Sequence, residues 1–137
     1  MMEDKESILA LDIGSIRIGI ALANKKARVA HPLGALPNDD SLTEQLRKLC
    51  DRELVTGIVV GLPRGLEGQV TSQTSKIHTY GLELAKQLNV PIFWQDEALT
   101  SVKAKEELEA SGKPYTKENI DALAATYILE DYLRDKV

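Results

Sequence analysis

The chain has 137 residues, 43% hydrophobic, 28% charged and only 4% aromatic, with a formal net charge of −4. That length predicts one domain over residues 1–137 with a sizeable core, and the acidic balance argues against a protein that coats nucleic acid, although a nucleic-acid enzyme needs only a local basic patch. Cys50 is the only cysteine, so no intrachain disulfide can form and a reducing, cytoplasmic setting is expected; the charged start Met1-Met2-Glu3-Asp4-Lys5-Glu6 does not read as a secretory signal, and no apolar run reaches membrane-spanning length.

The apolar run at 8–11 reads as a strand buried on both faces, because it is continuous rather than alternating. It ends in Asp12. An ionised carboxylate there is costly unless a cation, a metal or several donors compensate it; the alternative is an Asp-Gly-type turn in which Asp12 bonds nearby amides. Gly14 permits a tight turn and apolar residues resume at 18–22, which predicts a β-hairpin with Asp12 near its mouth. A third strand is expected over 28–33, interrupted by Pro32, and then a loop over 36–40. Ser41 and Glu44 have capping-box spacing, and Leu42, Leu46, Leu49 and Cys50 follow at helical intervals to about Glu53.

Residues 55–60 read as a second buried strand running into a loop at 61–68 that holds Gly61, Pro63, Arg64, Gly65 and Gly68. A helix is expected over 71–88 with Ile77, Leu84 and Leu88 inward, then a short strand over 91–95 that ends in Asp96 and Glu97. Thr100 or Ser101 can cap the next helix, which stops near Gly112. After the Lys113-Pro114 turn, Thr116 can cap a last helix, with Tyr115 and Ile120 placed as a hydrophobic staple. Strands come first as a hairpin meander and then alternate with helices, which predicts an α/β domain with a mixed sheet.

Three places put carboxylates where a core does not ordinarily want them: Asp12, the Asp96-Glu97 pair, and Asp121. At 100° per residue, Ala124, Ala125, Ile128 and Tyr132 share the side of the last helix that carries Asp121, opposite Thr126 and Glu130. Asp121 is therefore expected to point inward, the alanines letting the helix approach the sheet; the alternative is a buried Asp satisfied by backbone donors or an Arg. Converging carboxylates repel and raise one another's pKa unless divalent cations relieve them. Oxygen donors suit Mg²⁺ or Mn²⁺, whereas His31, His78 and Cys50 offer no zinc spacing. One or two such ions would serve phosphodiester hydrolysis, two of them standing about 4 Å apart.

Four segments in register carry a family resemblance: Asp12-Ile13-Gly14-Ser15-Ile16-Arg17-Ile18-Gly19-Ile20-Ala21; Gly61-Leu62-Pro63 followed by Gly68; Asp96-Glu97-Ala98-Leu99-Thr100-Ser101; and Asp121-Ala122-Leu123-Ala124-Ala125 with Ile128-Leu129. Together they resemble the YqgF/RuvX family over nearly the whole chain. The resemblance implies an RNase H-like fold, a mixed sheet with helices on both faces, related to Holliday-junction resolvases. It also implies activity either as a nuclease maturing the 5′ end of pre-16S ribosomal RNA or as a resolvase of branched DNA. Asp12, Asp121 and one acid of the Asp96-Glu97 pair would be the metal-binding catalytic set; Glu97 is preferred for its longer arm, and Asp96 stays open. The family often has Arg after this pair, where this chain has Ala98.

Arg17 and Arg64 are candidate phosphate contacts; Gly61, Pro63 and Gly68 would let backbone amides approach a nucleic-acid backbone, and Thr100 and Ser101 are further candidates. Each has a plainer alternative as a surface cation, an ordinary strand-to-helix connection or a helix cap. Trp94 and Tyr127 are expected to be packing residues. The partners expected are structured RNA or branched DNA, pre-ribosomal particles among them, with the protein a monomer or homodimer; resolving a four-way junction needs two symmetric sites. Two other readings stand beside the nuclease: a kinase of the actin and sugar-kinase type, which would need a second such domain and shows no Walker sequence, and a non-catalytic RNA-binding module, which Ala98 invites.

Overall fold

In the computed structural model, residues 2–97 and 100–135 are described, except for the side chains of residues 2, 3 and 100. They form a five-stranded mixed sheet: β1 (Ser7–Ile13), β2 (Arg17–Asn24), β3 (Ala30–Pro37), β4 (Val55–Pro63) and β5 (Ile92–Glu97), in the order β3-β2-β1-β4-β5. The first three strands pair antiparallel as a meander, and β4 and β5 add parallel to β1. The crossovers carry α1 (Leu42–Glu53) and α2 (Ser72–Leu88); α3 (Thr100–Ala110) and α4 (Lys117–Asp135) follow β5. The expected mixed α/β architecture is present.

Successive strand residues face opposite sides of a sheet, and the two sides differ in bulk. Leu9, Leu11, Ile18, Ile20, Leu22, Ile58 and Val60 pack with Leu42, Leu46 and Leu49 of α1 and Leu84 of α2. Each large aliphatic so buried contributes about 1.5–3 kcal/mol. The other side is lined by Ala10, Ala21, Ala23 and Val59, which meet Ala125, Ile128, Leu129 and Leu133 of α4. Small residues on both partners bring α4 close to the sheet. At the tightest point a Cβ on Gly19 would lie 2.0 Å from the backbone oxygen of Asp121. α3 lies on α4, with Ala104 against Ala124 and Tyr127.

Several expectations are corrected by this arrangement. The third strand begins at Ala30 rather than 28, because Asn24 closes a turn by accepting from the amides of Lys26 and Ala27 while Arg28 takes a left-handed φ of 60°. β3 continues to Pro37, tolerating Pro32 because it is an edge strand with a bulge between the Ala21–Pro32 and Ile20–Gly34 pairs. No capping box forms at Ser41: its side chain makes no cap bond, Asp39 accepts from its amide and hydroxyl, and Glu44 pairs with Arg47. Gly61 and Pro63 belong to β4, not to a loop, since β4 pairs with β5 as far as Pro63–Glu97. Thr126 is buried rather than outward, its hydroxyl bonded to the Ala122 carbonyl, because α4 is enclosed by α3 as well as by the sheet.

At α4 the Thr116 cap is present, reciprocated by Asn119, and Ala124, Ala125 and Ile128 are buried as expected. The close approach generates a stability prediction. Gly19→Ala should lower the unfolding free energy by about 2 kcal/mol or more in urea denaturation, because the methyl group meets backbone rather than a movable side chain.

Candidate active site

β1, β4 and β5 are parallel, so their carboxyl ends share one edge of the sheet, the place where α/β sheets bind ligands. Asp12 lies one residue beyond the Leu11–Val60 pair and Glu97 pairs with Pro63. Strand alternation separates the two acids of β5. Phe93 and Gln95 face α4, Phe93 meeting Tyr132 at 5.7 Å between ring centroids and Gln95 Nε2 donating to Asp135 Oδ2 at 3.0 Å. Glu97 shares that face. Trp94 faces α2 and stacks on His78 at 4.3 Å, and Asp96 follows it there, its Oδ1 3.1 Å from Arg64 Nε.

Gly61 explains how Glu97 fits. A Cβ at this position would lie 2.7 Å from Glu97 Oε2 and 2.5 Å from Ile128 Cδ1. The missing side chain is the room that Glu97 and α4 occupy. Asp121, from the second turn of α4, completes the group, and its charge is felt at Asp12. The half-buried Asp12 carboxyl is pushed up from 3.8 to about 8, first by burial, then by the charges of Glu97 and Asp121, and by a hydrogen bond shared with Glu97. Burial and the two neighbouring acids thus favour the protonated form of Asp12. The structure brings Asp12, Glu97 and Asp121 together and leaves Asp96 on the other face.

Arg17 meets Asp121 across the hairpin, Nε donating to Oδ2 at 2.6 Å. Among the described residues no three His, Cys, Asp or Glu side chains are gathered tightly enough to ligate an ion as they stand. The donor set nevertheless fits a hard divalent cation: carboxylate oxygens from three separate elements, short enough of positive charge that one stays protonated.

The β1–β2 turn beside Asp12 is held in part by Asn38 and Tyr80, which the sequence did not mark as site residues. Gly14 N–H donates to the Arg17 carbonyl at 3.0 Å, Asn38 Nδ2 to the Gly14 carbonyl at 2.8 Å, and the Tyr80 hydroxyl to Asn38 Oδ1 at 2.9 Å. The 64–71 loop closes on itself. The amides of Gly65, Glu67 and Gly68 donate to the Gln69 carbonyl, Gln69 Oε1 and the Gly65 carbonyl. Gly68 supplies the turn's φ of +82°. Ser101 lies exposed in the first turn of α3, and Thr100 begins that helix; Ala98 and the Thr100 side chain lie outside the described residues. Tyr127 is buried, bonded through its hydroxyl to Glu107 and covered by Lys103. Cys50 is buried with its thiol pushed up to about 11, by burial and then by Asp51, which makes it unreactive.

The raised Asp12 has a consequence for stability. Because the folded value of about 8 exceeds the unfolded 3.8, the stabilising contribution of the protonated carboxyl is whole below pH 3.8 and is lost as the pH rises to about 8. Metal-free Asp12→Asn should therefore melt higher than the native protein at pH 8–9, by roughly 4 °C or more, with the gap closing towards pH 4 in differential scanning calorimetry.

The chain as a whole is similar to several known proteins. A protein of Chloroflexus aggregans named "Putative pre-16S rRNA nuclease" is 40% identical over 134 residues, covering 95% of this chain and 94% of its own length. One of Rickettsia felis with the same name is 38% identical over 130 residues, covering 92% and 84%. Among solved structures, Thermus thermophilus RuvC superposes with a TM-score of 0.56 at 16% identity, over 95% of this chain and 96% of that one. The Fowlpox virus resolvase in complex with Holliday junction DNA gives 0.54 at 13%, over 96% and 99%. These two share the fold of this chain, the RNase H-like architecture that the family resemblance implies. The family model described as "RuvX: Holliday junction resolvase" matches residues 6–135, and the chain belongs to that family.

Proposed function

We propose that this chain is a divalent-metal-dependent nuclease that hydrolyses phosphodiester bonds, with Asp12, Glu97 and Asp121 as its catalytic acids. The observation that carries the reading is that an otherwise ordinary fold confines these three carboxyls at one edge, where burial, Glu97 and Asp121 together push the Asp12 carboxyl up. One or two Mg²⁺ or Mn²⁺ ions, when bound, would activate a water and stabilise the departing oxygen. The chain's own residues set the geometry: the ends of β1 and β5 fix Asp12 and Glu97, α4 delivers Asp121, and Gly61 leaves room for the Glu97 carboxyl. Arg17 and Arg64 are the cations available to the nucleic-acid backbone nearby, each held by an acid in this structure.

The substrate class we favour is structured RNA, the 5′ region of pre-16S ribosomal RNA within pre-ribosomal particles, because relatives 38% and 40% identical to this chain carry that name. A net charge of −4 supports weak, salt-sensitive binding by the chain alone and delivery to its substrate by a partner. A reducing cytoplasmic setting suits the unpaired Cys50, and no described helix is long and apolar enough to cross a membrane. Cleavage of branched DNA is the second reading, favoured by the description of the matching family, and it would require a dimer.

The test is Mg²⁺- or Mn²⁺-dependent cleavage of a labelled pre-16S 5′ leader and of a four-way DNA junction. Asp12→Asn, Glu97→Gln and Asp121→Asn should each lose at least about 100-fold in rate, equivalent to roughly 2.7 kcal/mol. Asp96→Asn, on the opposite face, should stay within about threefold of the native rate. Variants of the three acids that cut as well as the native protein would overturn the assignment. A well-folded native protein that cuts neither substrate would leave the RNA-binding module.

A further inference from the structure

Arg17 opens β2 and its guanidinium reaches an acid 104 positions away, on the helix that covers the sheet. The two side chains are 27% and 20% exposed, so the pair is reachable from water and from a ligand. Asp121 is the member of the acid group nearest this cation, and its charge is also felt at Asp12. Glu118, one turn earlier on α4, bears on Arg17 as well. The guanidinium is thus bonded to a carboxylate of the cluster and also feels the exposed Glu118. An incoming divalent ion and this guanidinium want the same oxygen of Asp121. A doubly charged ion held by several acids outcompetes a single guanidinium for that carboxylate.

We propose that Arg17 is an exchangeable counter-cation of the active site. It holds Asp121 while the acids lack a divalent ion, cedes that carboxylate when the ion is taken up, and turns outward past Glu118 to meet a phosphate oxygen of the bound nucleic acid. The inference rests on the metal-dependent nuclease reading and adds to it a coupling between metal uptake and substrate grip. Arg17 is in this sense a positioning residue, and its contribution is visible without turnover.

Two measurements test it. Calorimetric titration with Mn²⁺ alone should show Arg17→Ala binding the ion about fivefold tighter than the native protein, since the competitor is gone. In the native protein, the Arg17 Nε–Hε resonance should leave its carboxylate-bound position as Mg²⁺ saturates, and Asp121→Asn should move it the same way without metal. The resonance needs no variant at position 17 to fold. Mn²⁺ affinity unchanged or weakened in Arg17→Ala, or an Arg17 resonance that stays in place at saturating Mg²⁺, overturns the exchange while leaving the metal site standing. Absence of Mn²⁺ uptake by the native protein overturns the exchange and the nuclease reading together.

Discussion

The contact between α4 and the bare backbone at Gly19 is the constraint on which the site depends. Helices usually ride on a cushion of side chains, with axes 8–10 Å from their neighbours. Here alanines on the sheet and on the helix remove much of that cushion, and at Gly19 nothing remains between β2 and the Asp121 backbone. Asp121 can then reach the strand ends with a short side chain. A bulkier interface would lift it away from Asp12 and leave three acids with no common space.

Holding acids together works against folding, and the protein compensates locally. Asp12 and Glu97 share a hydrogen bond that favours a protonated carboxyl, and Arg17 pairs with Asp121. The turn that carries Gly14 is tied to Asn38 and through it to Tyr80 of α2, so the end of β1 does not drift under the repulsion. The opposite face of β5 does the reverse: Asp96 is exposed and simply pairs with Arg64. Two neighbouring acids in the sequence thus meet different environments because a strand sends alternate side chains to opposite sides.

What could be read from the residues alone followed from periodicity. The phase of the last helix was enough to turn Asp121 inward, and the hairpin with Asp12 at its mouth followed from two apolar runs around Gly14. The choice between Asp96 and Glu97 was not legible on physical grounds. Side-chain length favoured Glu97, but the deciding fact is which face of β5 α4 covers, and that is tertiary. Gly61 and Pro63 read as loop residues because glycine and proline usually are; the pairing of β4 with β5 kept them in the strand, where Gly61 provides space instead of flexibility. Ser41 had the right neighbour for a capping box, but Asp39 competed for its amide and hydroxyl. Thr126 was misplaced because the pattern of a single helix cannot announce a second layer such as α3.

Pro32 and the neighbouring bulge in β3 reach beyond their own strand. A flat outer strand offers a row of unpaired amides and carbonyls to any other chain, the usual seed of sheet-to-sheet polymerisation. β3 lacks a donor at Pro32 and departs from regular register beside it, and β5 at the far side is only six residues long and ends in two acids. Neither border is a good template for another strand. Self-association by sheet extension is thereby discouraged, and a second copy, where one is used, is steered to helices and loops.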